Sequence, residues 1–429
     1  MKILYLCPDY GIPVLGHKGA SVHVRAMVEA FHRAGHQVLL AAPQATKGPW
    51  ETPEHTSAQF LHLPGEEPLA GCVRGLDEFA ESLGAHNLLT THVRRMLYDR
   101  QLTGQLLRRF RKHPPDLIYA RAALYSTAPA TLARAVNRPL VVELNAPLAA
   151  EHSTYRGGGG LEELGLRAEQ ELLRAADAVV VVSETLRGHA VACGAAPERV
   201  QVMPNGVDPE RFRPAERSET VRRRWGLADS DLVLGFVGGL RPWHGVEALP
   251  ELLERLLPEH PDARLLVVGE GPLRETLERD LAGRGQAGRA VFTGAVSHGE
   301  VPDLVRQLDI ALAPYPVLEH EFYFSPLKLF EYMACGVPVV AAAIAQISEV
   351  VADGETGLLY PPGDRDALAG RCRRLLESAE LRRRIGAAAA DTVHRHYTWD
   401  RNAEATLALA GPPDDQGGRP WARVESPTS

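Results

Sequence analysis

The sequence predicts an α/β protein of two doubly wound parallel-sheet domains that face one another across a cleft. Three observations predict it: short apolar runs rich in β-branched residues, helix-period stretches between them, and a fresh start of that alternation near residue 230. Strands covered on both faces by crossover helices need such unbroken apolar runs, because neither face meets water.

The first series is KILYLCP (2–8), QVLLAAP (37–43), DLIYAR (116–121), RPLVVEL (138–144), DAVVVVS (177–183) and RVQVMP (199–204). Between the first two, ASVHVRAMVEAFHRAGH sets Val22, Ala26, Val28, Ala30 and Phe31 on one stripe and closes at Gly35. The second series is LVLGFVG (232–238), ARLLVVG (263–269), AVFTG (290–294), IALAPY (310–315) and VPVVAA (337–342). Residues 211–219, with Pro214 and several charges, read as the linker. The expected spans are 1–210 and 211–395, a closing helix over 396–410, and a disordered Pro/Gly-rich tail over 411–429. Residues 156–160, RGGGG, read equally as a lid at the cleft mouth or as a plain connector.

Composition narrows the function. With 45% hydrophobic and 24% charged residues in 429, the chain is globular. A net charge of −7 removes the basic field of a bulk nucleic-acid binder. Five scattered cysteines without a CxxC pair indicate a reduced, cytoplasmic chain and support neither a disulfide framework nor a zinc site. The N-terminal apolar run stops at Pro8 and Asp9, too short for a signal peptide, and no window reaches the ~18 apolar residues of a membrane span.

Chemistry concentrates in three places. In FYFSPLKLFEYMACGVPVVA (322–341), a loop with Ser325 and Pro326 enters a helix that starts near Leu327 and ends at Gly336. Its N-terminus presents unpaired N–H groups suited to phosphate, Lys328 adds a full charge, and Glu331 follows three residues later on a similar face. The plainer alternative is an ordinary helix with solvated charges. In FVGGLRPWHGV (236–246), Gly238-Gly239 lets the backbone approach a ligand, and Arg241 and His244 follow. An arginine there can clamp a diphosphate through its planar fork, although Gly-Gly-x-Arg is a short signal. Third, a loop with His17, Gly19, Ala20 and Ser21 enters the first helix where doubly wound folds bind phosphates. It matches neither GxGxxG nor GxxxxGK[ST], which weakens dinucleotide and NTPase readings.

Seven stretches in order resemble the retaining glycosyltransferases of family 4, with the two-domain GT-B architecture. They are the entry at 16–21, VVVVSETLRG (180–188 and its lead), PNGVDPERF (204–212), FVGGLRPWHG, LLVVGEGP (265–272), VFTG (291–294) and SPLKLFEYMACGVPVVA. HYTWDRNA (396–403) fits a helix that returns to the first domain. The resemblance implies an N-terminal acceptor domain, a C-terminal donor domain and a hexosyltransferase-type reaction with a nucleotide-diphosphate sugar. Arg241 and Lys328 would bind the diphosphate and Glu331 the ribose, with Gly239, His244, Ser325, Pro326 and Leu327 around phosphates and sugar. Thr293 lies in the VFTG segment near the base, and Gly19 and Ala20 approach from the other domain. His17, Glu143 and Asn145 fall on the acceptor side. No cofactor and no metal are implied, and UDP is favoured only as the commonest donor nucleotide. The setting would be polysaccharide, glycolipid or glycoside biosynthesis.

Three departures stand out. Tyr323 occupies a place where the family often has glutamate, with Glu319 and Glu321 just upstream. His244-Gly245 replaces Lys-Gly, so one phosphate contact is expected to weaken or become pH-dependent. Glu143-Leu144-Asn145 stands where many members have an acceptor-side histidine, which leaves a general base unassigned. Glu143 reads equally as a turn-capping residue. These departures keep two alternatives open: a catalytically silent relative that binds a nucleotide sugar or a partner, and a nucleotide-sugar 2-epimerase. Segment 94–113 carries seven basic side chains against Asp99, with Met96, Leu97, Leu102, Leu106, Leu107 and Phe110 between them. It reads as a crossover helix with a solvated face, or as a contact with the inner membrane face where a lipid-linked acceptor would sit.

Overall fold

The computed structural model describes residues 1–48, 51–67, 69–84, 88–151, 161–318 and 321–411. Glu319, the RGGGG loop and the tail from 412 lie outside the described residues. The chain forms two compact units, Met1–Pro204 joined by residues from Asp400 onward, and Asn205–Trp399.

In the first unit, seven parallel strands form one sheet: β1 (Lys2–Leu6), β2 (Gln37–Ala42), β3 (Gln59–His62), β4 (Leu117–Arg121), β5 (Leu140–Leu144), β6 (Ala178–Val181) and β7 (Val200–Val202). Their order, β3-β2-β1-β4-β5-β6-β7, is the doubly wound order with its switch between β1 and β4. The second unit repeats it with β8 (Leu232–Val237), β9 (Ala263–Val268), β10 (Ala290–Gly294), β11 (Ile310–Ala313), β12 (Val339–Ala342) and β13 (Leu358–Tyr360), ordered β10-β9-β8-β11-β12-β13. The predicted α/β class with two Rossmann-like sheets is therefore correct.

Every predicted apolar run contains a strand. The two strands the runs missed, β3 and β13, are sheet edges. QFLH is exposed or half-buried along its whole length, and an edge strand that meets water has no need of a continuous apolar run. The helix Gly19–Arg33 buries more than the predicted stripe: His23, Arg25 and Met27 are buried with Val22, Val28, Ala30 and Phe31. Residues 211–219 do not span freely. Arg306 donates to the carbonyls of Arg211 and Arg213 at 2.8 and 3.0 Å, and Arg217 pairs with Asp309 at 2.7 Å, so the segment is tied to the second unit. The helix Trp399–Ala410 joins the first unit from Asp400: Asp400 pairs with Arg33 at 2.7 Å, and Asn402 donates to the Pro204 carbonyl.

Candidate functional site

In the second unit the site forms where β8 ends. The Gly238 N–H donates to the Val268 carbonyl at 2.8 Å, and the chain then turns through Gly238-Gly239. Gly238 has φ +137°, a conformation other residues rarely adopt, and a Cβ there would lie 2.8 Å from Lys328 Nζ and displace the ammonium. Lys328 sits in the first turn of the helix Leu327–Ala334, whose N-cap, Pro326, supplies no side-chain acceptor to the first N–H groups. The Tyr332 hydroxyl accepts the Val237 N–H at 2.6 Å and locks this helix to the end of β8.

Lys328 is 8% exposed and its Nζ has no hydrogen-bond partner among the described residues. It lies 3.8 Å from the centre of the Phe236 ring and 5.8 Å from that of Tyr315. A cation over an aromatic face gains some attraction but leaves three N–H donors unused. Burial pushes its pKa down to about 7, with Glu331 opposing the shift. Arg241 is exposed, with its guanidinium 5.6 Å from the Trp243 ring centre.

His244 is held against the backbone beside these cations. Its Nδ1 lies 2.6 Å from the Gly239 carbonyl, so Nδ1–H donates there. Burial, and then the charges of Lys328 and Arg241, push its pKa down to about 3. These surroundings favour the neutral imidazole, and of the two outcomes expected at His244 they support the weaker phosphate contact. The pH-sensitive cation here is Lys328.

Glu331 is buried and accepts from His298 Nε2 at 2.9 Å. His298 packs its ring 5.5 Å from Phe212. The sequence reading missed His298, because only the fold brings the loop after β10 beside the helix Leu327–Ala334. Ser325 is held from both sides of its backbone: its Oγ accepts the Asn205 N–H at 2.9 Å, and its carbonyl accepts Asn205 Nδ2 at 2.5 Å. Tyr323 is 4% exposed and packs on Phe324, with ring centres 4.3 Å apart, while Glu321 is exposed. Thr293 is half-buried and donates its hydroxyl proton to the Gly294 carbonyl at 2.8 Å. Gly239, Arg241, His244 and Lys328 are thus brought together, and Glu331 stands one helical turn on from Lys328.

The first unit gathers a different set at the ends of β4 and β5. Glu143 is 1% exposed and accepts from Tyr119 OH at 2.5 Å, Arg121 at 2.5 Å, His23 at 3.0 Å and Tyr5 OH at 3.3 Å, and also from Asn145 Nδ2. Burial alone would raise its pKa, but His23, Arg121 and the hydroxyl donors outweigh that and hold it well below the usual carboxylate range. Glu143 therefore ties three strands to the helix Gly19–Arg33. His17 is outside this cluster, paired with Glu54 at 2.9 Å on the surface. Gly19 and Ala20 open the helix, and the loop before them is gripped by Arg25, which donates to the Val14 and Gly16 carbonyls at 2.9 and 2.6 Å. Arg25 also escaped the sequence reading, since a buried arginine inside an apolar stripe leaves no periodic signal.

The sequence pattern described as "Glycosyltransferase Family 4" matches residues 17–211, and that of "Glycosyl transferases group 1" matches residues 217–392. The chain belongs to glycosyltransferase family 4. Within the family it is 35% identical over 225 residues to a D-inositol 3-phosphate glycosyltransferase of Stackebrandtia nassauensis, covering 50% of this chain and 49% of that one. It is 34% identical over 234 residues to the sulfoquinovosyl transferase SQD2 of Arabidopsis thaliana, covering 53% and 43%. These alignments span about half the length of the relatives. A Mycobacterium tuberculosis glycogen synthase aligns over 95% of this chain and 94% of its own at 27% identity. Among solved structures, HepE of Anabaena in complex with UDP has a TM-score of 0.65 at 20% identity, covering 95% of this chain and all of that one. WaaG, a glycosyltransferase involved in lipopolysaccharide biosynthesis, has a TM-score of 0.67 at 17% identity, covering 96% and 100%. At such identities the structural likeness establishes the GT-B fold of this family 4 member.

Proposed function

We propose that this family 4 protein is a retaining glycosyltransferase that moves a sugar from a nucleoside-diphosphate sugar to a hydroxyl acceptor. One observation carries the reading: Lys328, buried without a hydrogen-bond partner among the described residues, at an uncapped helix N-terminus beside Gly238, with Lys328 and Arg241 both acting on His244. A buried amine with three idle donors is costly unless an anion completes it. A diphosphate fits, since departure of the nucleoside diphosphate develops negative charge that fixed cations and helix N–H groups stabilise.

The acceptor oxygen bonds to the anomeric carbon on the face from which the diphosphate oxygen departs. The departing phosphate oxygen takes the acceptor proton, so the step needs no protein base. Arg241 and Lys328 supply the charge that a metal would otherwise bring. Glu331, oriented by His298, accepts from the ribose hydroxyls. UDP is the proposed nucleotide, supported by the HepE structures, which are complexes with UDP and with UDP-glucose.

The test is a thermal-shift panel of UDP, GDP, ADP, dTDP and CMP on wild type and Lys328→Ala. UDP at 100 times its dissociation constant should stabilise the wild type by ~2.7 kcal/mol. The shift should vanish in the variant, and turnover should fall about 100–1,000-fold. No shift with any diphosphate, or an equal shift in Lys328→Ala, would remove the donor-site reading.

A lipid-linked acceptor is proposed on a second ground. The apolar side of 94–113 packs inward, with Leu102, Leu106 and Phe110 buried, which fits a crossover helix. The exposed apolar side chains are instead Leu76, Phe79 and Leu83, at and just beyond the helix Leu69–Ser82, with Leu97 nearby in sequence to exposed Arg94 and Arg100. Arg94 pairs with Asp77 at 3.5 Å and places the two helices together. An apolar rim beside arginines suits an anionic bilayer, on the cytoplasmic side. Co-sedimentation with anionic but not neutral vesicles should drop in Phe79→Ser/Leu83→Ser, and equal binding to both vesicle types would remove the idea.

A further inference from the structure

Away from the sites above, the first unit brings together a carboxylate, an imidazole and a thiol. Glu169 lies on the helix Glu162–Ala175, His189 on the helix Glu184–Ala192, and Cys193 is the C-cap of the latter. Glu169 and Cys193 are 4% and 3% exposed. One atom of the third residue, His189 Nε2, faces both of the others: it lies 2.7 Å from Glu169 Oε1 and 3.5 Å from Cys193 Sγ. The three donor atoms all fall within 4.8 Å of one another.

We infer that Glu169, His189 and Cys193 form a binding site for a borderline-soft divalent ion of the zinc class. The donor set is the one such ions prefer: thiolate, imidazole and carboxylate. The spacing fits as well. A tetrahedral ion at ~2.3 Å from sulfur and ~2.0 Å from nitrogen sets those two atoms about 3.5 Å apart. The carboxylate oxygen needs to withdraw by roughly half an ångström to reach the corresponding N···O separation. Binding exchanges the Nε2 proton of His189 and the Sγ proton of Cys193 for the metal, and both protons leave to solvent. The His189 side chain is 24% exposed, which gives the ion a route in and a water as fourth ligand. Glu169 Oε2 meanwhile accepts the Ala149 N–H at 3.3 Å, so the ion would brace the segment that follows β5 as well as the two helices. The other cluster of this kind, Glu259, His260 and Glu377, is less suited, because Glu259 already pairs with Arg373 at 2.6 Å.

The test uses the full chain, stripped with a chelator and reduced. Cobalt(II) is titrated first, because a thiolate ligand produces an intense near-ultraviolet charge-transfer band. One equivalent per chain should give that band, zinc should displace it, and zinc should raise Tm. Cys193→Ser should abolish the band and His189→Gln should weaken binding at least tenfold, while Cys72→Ser, which removes the exposed cysteine, should change neither. A missing band in the wild type or in Cys72→Ser overturns the site without depending on how the other variants fold. A band that persists in Cys193→Ser overturns it too.

Discussion

Two buried charges, Glu143 on a strand of the first unit and Lys328 in the first turn of a helix of the second, are treated in opposite ways. Glu143 is surrounded by five side-chain donors, two of them from cationic residue types. Lys328 is nearly as buried, with an aromatic ring beneath it and no hydrogen-bond acceptor among the described residues. A saturated buried charge belongs to the architecture, since its donors leave little capacity for a ligand. A buried charge left short of partners destabilises the chain alone, and is retained where a ligand completes it. The difference separates a charge that holds the frame together from one with donors to spare.

The largest effect expected from this contrast is on stability. Glu143→Gln leaves Arg121 without its counter-charge inside the fold, and should cost about 3–5 kcal/mol in urea unfolding. The folded fraction should keep its UDP-induced thermal shift. Lys328→Ala should do the reverse, folding at least as stably while losing the shift. If Glu143→Gln proves near neutral, or Lys328→Ala unfolds the chain, the contrast collapses.

A smaller effect follows from the Lys328 pKa. Its folded value is lowered to about 7, below that of an unfolded lysine. Between those values the unfolded chain binds the extra proton, so this group makes the ligand-free protein more stable as pH rises above about 7. That slope should flatten in Lys328→Ala. Diphosphate binding should restore the charge, so UDP should take up a proton above about pH 7, read by calorimetry in buffers of different ionisation enthalpy. No buffer dependence in that window would contradict it.

The smallest effect concerns His298. Removing it by His298→Ala leaves Glu331 buried without its donor, and should raise KM for the nucleotide sugar about tenfold with kcat little changed. An unaltered KM would limit His298 to packing against Phe212.

What was legible in the sequence follows from chain-local physics. Strands buried on both faces must be continuously apolar, so eleven of the strands showed as runs, and the helix from Leu327 to Ala334 announced itself between Pro326 and Gly336. Family motifs pointed to Gly239, Arg241, Lys328 and Glu331, which are separated in the chain but carry their own local signature. Two strands were not legible: Gln59–His62 because it is exposed or half-buried along its length, and Leu358–Tyr360 because three apolar residues are too short a run to stand out.

By itself, then, the sequence determined the two doubly wound sheets and the motif positions, since short-range burial patterns and local signatures encode these. Only the tertiary structure decided which charges are satisfied. Neutral His244, Glu331 held by His298, Glu143 enclosed by Tyr5, Tyr119 and Arg121, and the meeting of Glu169 with His189 and Cys193 all depend on contacts between distant segments. Solvation and charge are set by what surrounds a side chain in space, and no spacing along the chain records that.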